Sequence, residues 1–188
     1  MKKPKGYKAM NLPNHQQCYA LIEKMEMLPH IIAHSEMVER IASLLAAQLH
    51  PLNPAIDIHL TESSALLHDI TKTRSFITNE AHAETGGELL TELGYPETGE
   101  IIRQHVILDH YTMDMPVTEA EIVNYSDKRV LHDVIVSLDK RMAYILVKYG
   151  TSPEYTERIK KLWGQTRQLE KKIFLKIELT PEQVPDMI

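Results

Sequence analysis

Residues 63–72, SSALLHDITK, end an apolar helical run with an adjacent histidine and aspartate, His68 and Asp69, and place Lys72 three residues further on. A buried wall that presents an imidazole beside a carboxylate suits a divalent metal ion, because both groups are common metal ligands. We therefore expect other residues, scattered between His34 and Asp127, to converge on this pair.

The composition favours one helical domain. The chain has 188 residues, of which 43% are hydrophobic, enough to bury a sizeable core. Aromatic residues are sparse, and Leu, Ile, Ala, Met, Glu and Lys dominate, which favours helix over strand. We predict an all-α, single-domain bundle of about seven to eight helices. Its parts are a loose N-terminal segment at 1–14, a metal-binding helical domain at 15–150, and a charged helix and tail at 151–188 packed on the same domain.

Apolar residues at helical spacing, N-capping residues and proline or glycine stops place the helices. Thr61, Asn79, Thr118 and Ser152 are candidate N-caps, and Gly94-Tyr95-Pro96 is interpreted as a helix stop. The predicted helices cover 15–27, 30–49, 61–70, 80–93, 98–109, 118–130, 137–149 and 153–176, with a short basic link at 72–74 and a connector at 131–136.

Charge and cysteine content exclude some classes of protein. The formal net charge of −5 argues against a protein that coats nucleic acid, but not against a phosphate-bearing substrate, since bound metal ions carry their own positive charge. Cys18 is the single cysteine, so no intrachain disulfide forms. The basic start at 1–5 lacks a following apolar segment, and no run approaches the roughly 18 apolar residues of a membrane span. These features predict a cytoplasmic protein that does not enter a membrane.

Three further residues strengthen the metal hypothesis. His34, His105 and Asp127 each lie on the apolar face of a predicted helix. A lone buried histidine is most often a hydrogen-bonded core residue, but a buried ionised aspartate is costly unless it is paired or binds a metal. One divalent cation shared between helices would compensate the whole set. The ligands are nitrogen and oxygen without thiolate, which suits Fe, Mn, Co, Zn or Mg.

A second His-Asp pair, His132-Asp133, shows how weak a dipeptide is as a signal. It follows a basic, exposed-looking turn and lacks the other partners, so we expect it to be plain surface.

As an ordered set, His34, then His68-Asp69, then Asp127 resembles the HD superfamily of metal-dependent phosphohydrolases. Residues 68–72 are similar to the His-Asp-Ile-Gly-Lys form of one branch, with Thr71 in place of glycine. The resemblance covers roughly residues 20–150. It implies a helical bundle that hydrolyses a phosphate ester or anhydride, of a nucleotide or dinucleotide, with a metal-activated water.

The resemblance also implies site residues. His34, His68, Asp69 and Asp127 would hold a first metal, and Asp69 would bridge to a second one. The second metal would be held by His82 and His105, with His110 as a further candidate because His105 is followed by Val106 where two-metal relatives often have adjacent histidines. Asp69 and Lys72 would be catalytic, and Lys72, Arg74 and Arg103 would bind the substrate phosphate.

Alternatives remain open on the sequence alone. One is a single-metal nucleotidase in which His82 and His105 only line the cleft. Another is a non-catalytic metal- or nucleotide-binding regulatory module. The charged last helix could dock a partner or a second copy, giving a homodimer, or it could be an ordinary packed outer helix.

Overall fold

The computed structural model describes residues 10–188, and it confirms the all-α prediction. Residues 1–9, most of the expected loose N-terminal segment, lie outside the described residues. The elements in chain order are α1 (His15–Lys24), α2 (Pro29–Leu49), α3 (Ile58–Leu67), α4 (Lys72–Thr78), α5 (His82–Glu92), α6 (Pro96–Arg103), α7 (Glu119–Lys128), β1 (Val130–Leu131), β2 (Val134–Ile135), α8 (Leu138–Tyr149), α9 (Pro153–Phe174) and a short 3₁₀ turn (Val184–Asp186).

Capping residues set most helix starts. The Thr118 hydroxyl accepts from the Glu121 N–H, and the Glu121 carboxylate accepts from the Thr118 N–H, which completes a capping box. Ser152 caps α9 as predicted. The Thr61 prediction is wrong, because Asp57 accepts from the Leu60 N–H and starts α3 three residues earlier. The predicted stop at 94–96 is confirmed, since Gly94 takes the left-handed conformation (φ +89°) between α5 and α6.

Two local predictions are wrong in ways that matter for the site, and the structure defines the form of the connector at 131–136, which the sequence left open. The basic link at 72–74 is the first turn of α4. This short helix has no buried residues, so its sequence lacks the apolar periodicity that predicts a helix. Asn79 ends α4 rather than capping the next helix, which begins at His82. The connector at 131–136 is a β-hairpin whose turn holds His132 in the left-handed region (φ +59°).

The fifth predicted helix ends at Arg103 rather than at Asp109. Side chains take the carbonyl groups that further helical N–H groups would use. The Asn124 amide donates to the carbonyl oxygens of Gln104 and His105, each at 3.0 Å, and the Lys128 ammonium donates to the His105 carbonyl at 2.9 Å. This early ending turns the chain so that His105 faces the bundle interior.

The core forms between α2, α3, α6 and α7, with α1 and α5 on the flank. α5 and α6 approach closely through Gly87 and Gly99, where a Cβ on Gly99 would lie 2.5 Å from the Gly87 carbonyl oxygen. This contact fixes the angle between α5, which begins at His82, and α6, which ends two residues before His105.

α8 and α9 form an arm that follows this bundle, and we call residues 138–174 the α8–α9 arm. α9 is anchored by buried Trp163, Leu169 and Ile173, whereas α8 buries only Leu138. No helix within residues 10–188 is both long enough and apolar enough to cross a membrane.

Candidate metal centre

Six side chains from five places in the chain meet at one point inside the bundle. They are His34 from α2, His68 and Asp69 from the end of α3, His82 from the start of α5, His105 from the turn after α6, and Asp127 from α7. Core packing places them, since Val38 and Ile41 follow on the same face of α2 and are fully buried.

The first group consists of His34, His68 and Asp127, whose candidate ligand atoms all lie within 4.8 Å of one another. The distance from His34 Nε2 to Asp127 Oδ1 is 3.1 Å, and from His68 Nε2 to the same oxygen it is 3.8 Å. Two imidazoles thus share one carboxylate oxygen, which is the arrangement that a cation between them would require.

The second group surrounds the other aspartate. Asp69 Oδ1 lies 3.2 Å from His82 Nε2 and 3.6 Å from His105 Nε2, while Asp69 Oδ2 lies 3.6 Å from His68 Nε2. The two oxygens of the Asp69 carboxylate therefore face different histidines. The Lys72 ammonium also enters this group, at 3.9 Å from Asp69 Oδ1 and 3.1 Å from His82 Nε2.

The outer nitrogens of three histidines fix their tautomers. The Nδ1 atoms of His34, His68 and His105 lie 2.8, 2.7 and 2.7 Å from the carbonyl oxygens of His132, Ala65 and Ile102, respectively. A carbonyl oxygen only accepts, so Nδ1 must carry the proton and donate it. In the neutral ring the Nε2 lone pair then points at the centre of the cluster, which is the orientation of a metal-binding histidine.

The charge states agree with this arrangement. Burial lowers the pKa of His68 to about 4, so its ring is neutral at neutral pH. Burial opposes ionisation of Asp69 and Asp127, but the neighbouring imidazoles and lysines outweigh it and hold the pKa of both carboxyls well below the usual range. Burial alone would lower the pKa of His34, but the Asp127 carboxylate outweighs burial and raises it. The cluster contains two buried carboxylates and needs positive charge.

The residues present fit a divalent metal ion. His68 Nε2 and Asp69 Oδ1 are both buried, and neither has a hydrogen-bond partner among residues 10–188. Buried polar atoms of this kind are rare unless they serve a function, because leaving them unpaired costs about 1–3 kcal/mol each. Metal ligation of each of these atoms, by one ion or by two, would remove that cost.

The cluster lies at the bottom of a cleft of about 920 Å³ between the bundle and the α8–α9 arm. Arg141 of α8 reaches the cluster from the arm, with Nη2 at 4.0 Å from Asp127 Oδ1. On the bundle side, the ammonium of buried Lys128 lies 3.9 Å from Asp127 Oδ2, and burial lowers its pKa to about 8. Cationic groups thus stand on both sides of Asp127.

Some residues singled out in the sequence are not brought to the cluster. His110 is exposed in the loop after α6 and does not line the cleft. Arg74 pairs with Glu80 at 2.6 Å, and Arg103 pairs with Glu100 and Asp109, all on the outer surface. Acidic neighbours close in sequence hold these two guanidinium groups away from the cleft.

Sequence reasoning missed three contributors to the site. Lys128 and Arg141 have the residue types of solvated surface charges, and only their partners in space show a role. His132 is exposed, as expected for the second His-Asp pair, but its carbonyl oxygen orients His34. The basic residue directly after Asp127 was a usable signal for Lys128, whereas the His132 carbonyl carries no side-chain signal.

Comparisons with known proteins agree with this geometry. The family model described as HD domain matches residues 31–136, which include all six candidate ligands. The chain therefore belongs to the HD domain family, a family of metal-dependent phosphohydrolases. HD domains bind divalent metals, and the His/Asp cluster of this chain has ligand atoms placed to hold such an ion.

Two individual relatives each match about half of this chain. The chain is 34% identical over 99 residues to Ribonuclease Y of Fervidobacterium nodosum, covering 52% of this chain and 17% of that protein. It is 28% identical over 103 residues to tRNA (cytidine(56)-2′-O)-methyltransferase of Thermoplasma volcanium, covering 54% of this chain and 28% of that protein. The chain thus spans less than a third of either relative.

One solved structure has a similar fold over most of this chain. The crystal structure of a predicted HD superfamily hydrolase from an uncultured Thermotogales bacterium aligns with a TM-score of 0.51 at 18% identity. The alignment covers 89% of this chain and 95% of that one. At this identity the match establishes a shared fold.

Proposed function

We propose that this chain hydrolyses a phosphate ester or anhydride of a nucleotide or dinucleotide, using one or two divalent ions held in the cluster. The observation that carries the proposal is the inward direction of the imidazole Nε2 atoms around two ionised carboxylates at the bottom of a cleft. Membership of the HD domain family supports the type of reaction.

The distances support two metal subsites. His34, His68, Asp69 and Asp127 would hold the first ion. Asp69, His82 and His105 would hold a second ion, since Asp69 directs one oxygen towards each set. When bound, a divalent ion lowers the pKa of a water to near neutrality and stabilises negative charge on phosphate oxygens. The mixed nitrogen and oxygen set suits Fe, Mn, Co or Zn.

The remaining polar side chains would bind and orient the substrate. Lys72 is about a quarter exposed and lines the cleft beside Asp69, so its ammonium can donate to a phosphate oxygen. Lys128 is tied to the carbonyl oxygens of Asn124 and His105, at 3.1 and 2.9 Å, and therefore positions Asp127 relative to His105.

A single-metal version has its own support. The Lys72 ammonium lies 3.1 Å from His82 Nε2, where it competes with a cation for that nitrogen. In this version Lys72 would replace the charge of the second ion. Retention of full turnover and of one metal per chain in His82→Ala would favour it, whereas loss of the second equivalent together with turnover would favour two ions.

The test combines metal analysis with a hydrolysis screen. Purified chain is reconstituted with Mn²⁺ or Fe²⁺, its metal content is measured, and it is assayed on bis(p-nitrophenyl) phosphate, nucleotides, dinucleoside polyphosphates, cyclic nucleotides and a short RNA. The RNA is included because Ribonuclease Y is among the relatives. We expect at least one bound metal per chain and turnover of one phosphate ester or anhydride; absence of both would refute the proposal. Asp69→Asn should lose turnover, and Asp133→Asn, in the exposed His-Asp pair, is the matched control.

A further inference from the structure

The cleft is much more cationic than the chain as a whole. Among the described residues that line it, Asp69 and Asp127 are the only acids, and both belong to the metal cluster. The lysine and arginine side chains of the lining are Lys72, Lys128, Arg141, Lys148 and Arg158. A chain of net charge −5 thus gathers positive charge along one cleft, which favours an anionic ligand there.

Three of these cations belong to the α8–α9 arm, which follows the part of the chain matched by the HD domain model. Arg141, Tyr144, Ile145 and Lys148 all line the cleft, and their spacing places them on one face of α8. α9 contributes Arg158 to the lining of the cleft. The arm therefore contributes three of the five lysine and arginine side chains that line the cleft.

Contacts along α8 form a strip that leads away from the cluster. Arg141 lies 4.0 Å from Asp127 at the inner end. The Arg141 guanidinium is 5.9 Å from the centre of the Tyr144 ring, and the Lys148 ammonium is 5.7 Å from the same ring and 5.3 Å from that of Tyr149. Cations and aromatic faces thus alternate along the strip.

The strip is long enough to engage more than one anionic group. Seven residues separate Arg141 from Lys148, which is about 10 Å of helix. A ligand with two separated phosphates can therefore engage Arg141 at the cluster and Lys148 at the outer end of the strip. Lys148 and Arg158 are both exposed and have no carboxylate partner among residues 10–188 within ion-pair distance, so they are free to bind a second anion.

We propose that Lys148 and Arg158 form a remote phosphate subsite on the α8–α9 arm, and that the substrate is a nucleotide with at least one phosphate beyond the one held at the cluster. The inference rests on the proposed function and names the substrate class of that site. Arg141 would bind between the two phosphate positions. The rings of Tyr144 and Tyr149, next to Lys148, offer the flat faces on which a base stacks.

Trp163 gives a binding readout that does not depend on turnover. It is the single tryptophan of the chain, and it lines the cleft. Its fluorescence is followed during titration of the Mn²⁺-loaded full chain with AMP and with the β,γ-imido analogue of ATP. We expect the analogue to bind about tenfold more tightly than AMP, because charge-assisted hydrogen bonds to phosphate are strong.

The decisive variant is Lys148→Ala/Arg158→Ala, which should reduce this preference to about threefold or less. The matched control is Lys140→Ala/Lys161→Ala, which removes the same charge from exposed positions of the same two helices that do not line the cleft. The control should keep the preference. Equal preference in both double variants would overturn the subsite.

Two further measurements test the size of the ligand and the independence of the subsite from the metal cluster. Tighter binding of a ten-residue oligodeoxythymidylate than of the analogue, lost in the same double variant, would overturn the assignment to a small nucleotide. Hydrolysis of bis(p-nitrophenyl) phosphate by the unchanged chain is measured separately. Absence of that turnover with the binding preference intact would refute the proposed function, whereas turnover without any preference would refute only the subsite.

Discussion

The bundle and the α8–α9 arm differ in how many of their side chains they bury. α2 buries nine of its 21 residues, His34 among them, whereas α8 buries one of 12. In the bundle, every histidine of the first group is held by core packing and by a hydrogen bond on its outer nitrogen. On α8, the side chains that face the cleft are exposed or half-buried.

The difference in burial supports a separation of two proposed functions in space. Metal ligands must be held to within about 0.5 Å, which needs rigid elements and fixed rotamers. A surface that recognises one substrate among many tolerates motion and can change without disturbing those ligands. We infer that the bundle carries the chemistry and the arm carries the choice of substrate.

The largest effect is expected in the bundle. Asp69→Asn keeps the shape but removes the charge shared by both metal subsites. We expect turnover of bis(p-nitrophenyl) phosphate to fall about a thousandfold, since a metal ion supplies several kcal/mol of transition-state stabilisation. Metal content should fall with it, and Asp133→Asn should match the unchanged chain in both assays. Full turnover in Asp69→Asn would show that the cluster is not the active site.

The next effect concerns the attachment of the arm. Lys172 of α9 donates to both carboxylate oxygens of Glu121 in α7, at 2.6 and 2.8 Å, and to the Thr112 carbonyl at 2.8 Å, with both side chains buried. Lys172→Met leaves a buried, unpaired carboxylate, which we expect to lower the free energy of unfolding by about 3 kcal/mol at pH 8. Urea denaturation measures it, and Glu121→Gln/Lys172→Met should recover much of the loss.

The loss of stability in Lys172→Met should depend on pH. Burial already raises the pKa of Glu121 although Lys172 opposes it, and without Lys172 the pKa rises further. A carboxyl with a raised pKa in the folded state favours folding at low pH and loses that contribution as the pH rises through the folded pKa. The deficit of Lys172→Met relative to the unchanged chain should therefore be smaller at pH 5 than at pH 8. A deficit that does not change with pH would show that lost packing, rather than charge, is the cause.

A smaller effect is expected at the weakly buried helix of the arm. Leu138 is the single buried residue of α8, at 4% exposure, and Leu138→Ala should cost about 2 kcal/mol. Because α8 has little else to hold it, we expect amide exchange in α8 to accelerate more than exchange in α2. Val147→Ala, at an exposed position of the same helix, is the control and should change neither quantity.

The bundle was more predictable than the arm because its ligands obey helical periodicity. His34 and Asp127 occupy the apolar faces of their helices, and that placement was visible in the spacing of their apolar neighbours. The end of α6 was not visible, because Asn124 and Lys128, about 20 residues away in sequence, capture the carbonyl groups that end it. Such tertiary contacts have no local pattern.

In the arm, the helices were predictable from the sequence but the position of their side chains relative to the cleft was not. Its helix bounds follow from Ser137 and Ser152 caps and were predicted to within a few residues. The position of its cations beside the cleft was not predicted, because Arg141 and Lys148 have the residue types of an ordinary solvated face. Only the fold places that face across a cleft from the metal ligands.

The smallest effect is expected at His110, five residues after His105 in the same loop. Both histidines were candidate ligands in the sequence, but His105 is 2% exposed with Nε2 at 3.6 Å from Asp69, while His110 is exposed and does not line the cleft. We expect His110→Ala to change turnover and metal content by less than about twofold, as for most surface substitutions, and His105→Ala to lower turnover by at least about a hundredfold. Metal analysis and steady-state kinetics on both variants compare one buried and one exposed imidazole of a single loop. An equal loss in the two variants would mean that the loop brings His110 inward when metal or substrate binds, and residues 106–117 would then belong to the metal-binding part of the bundle rather than to its surface.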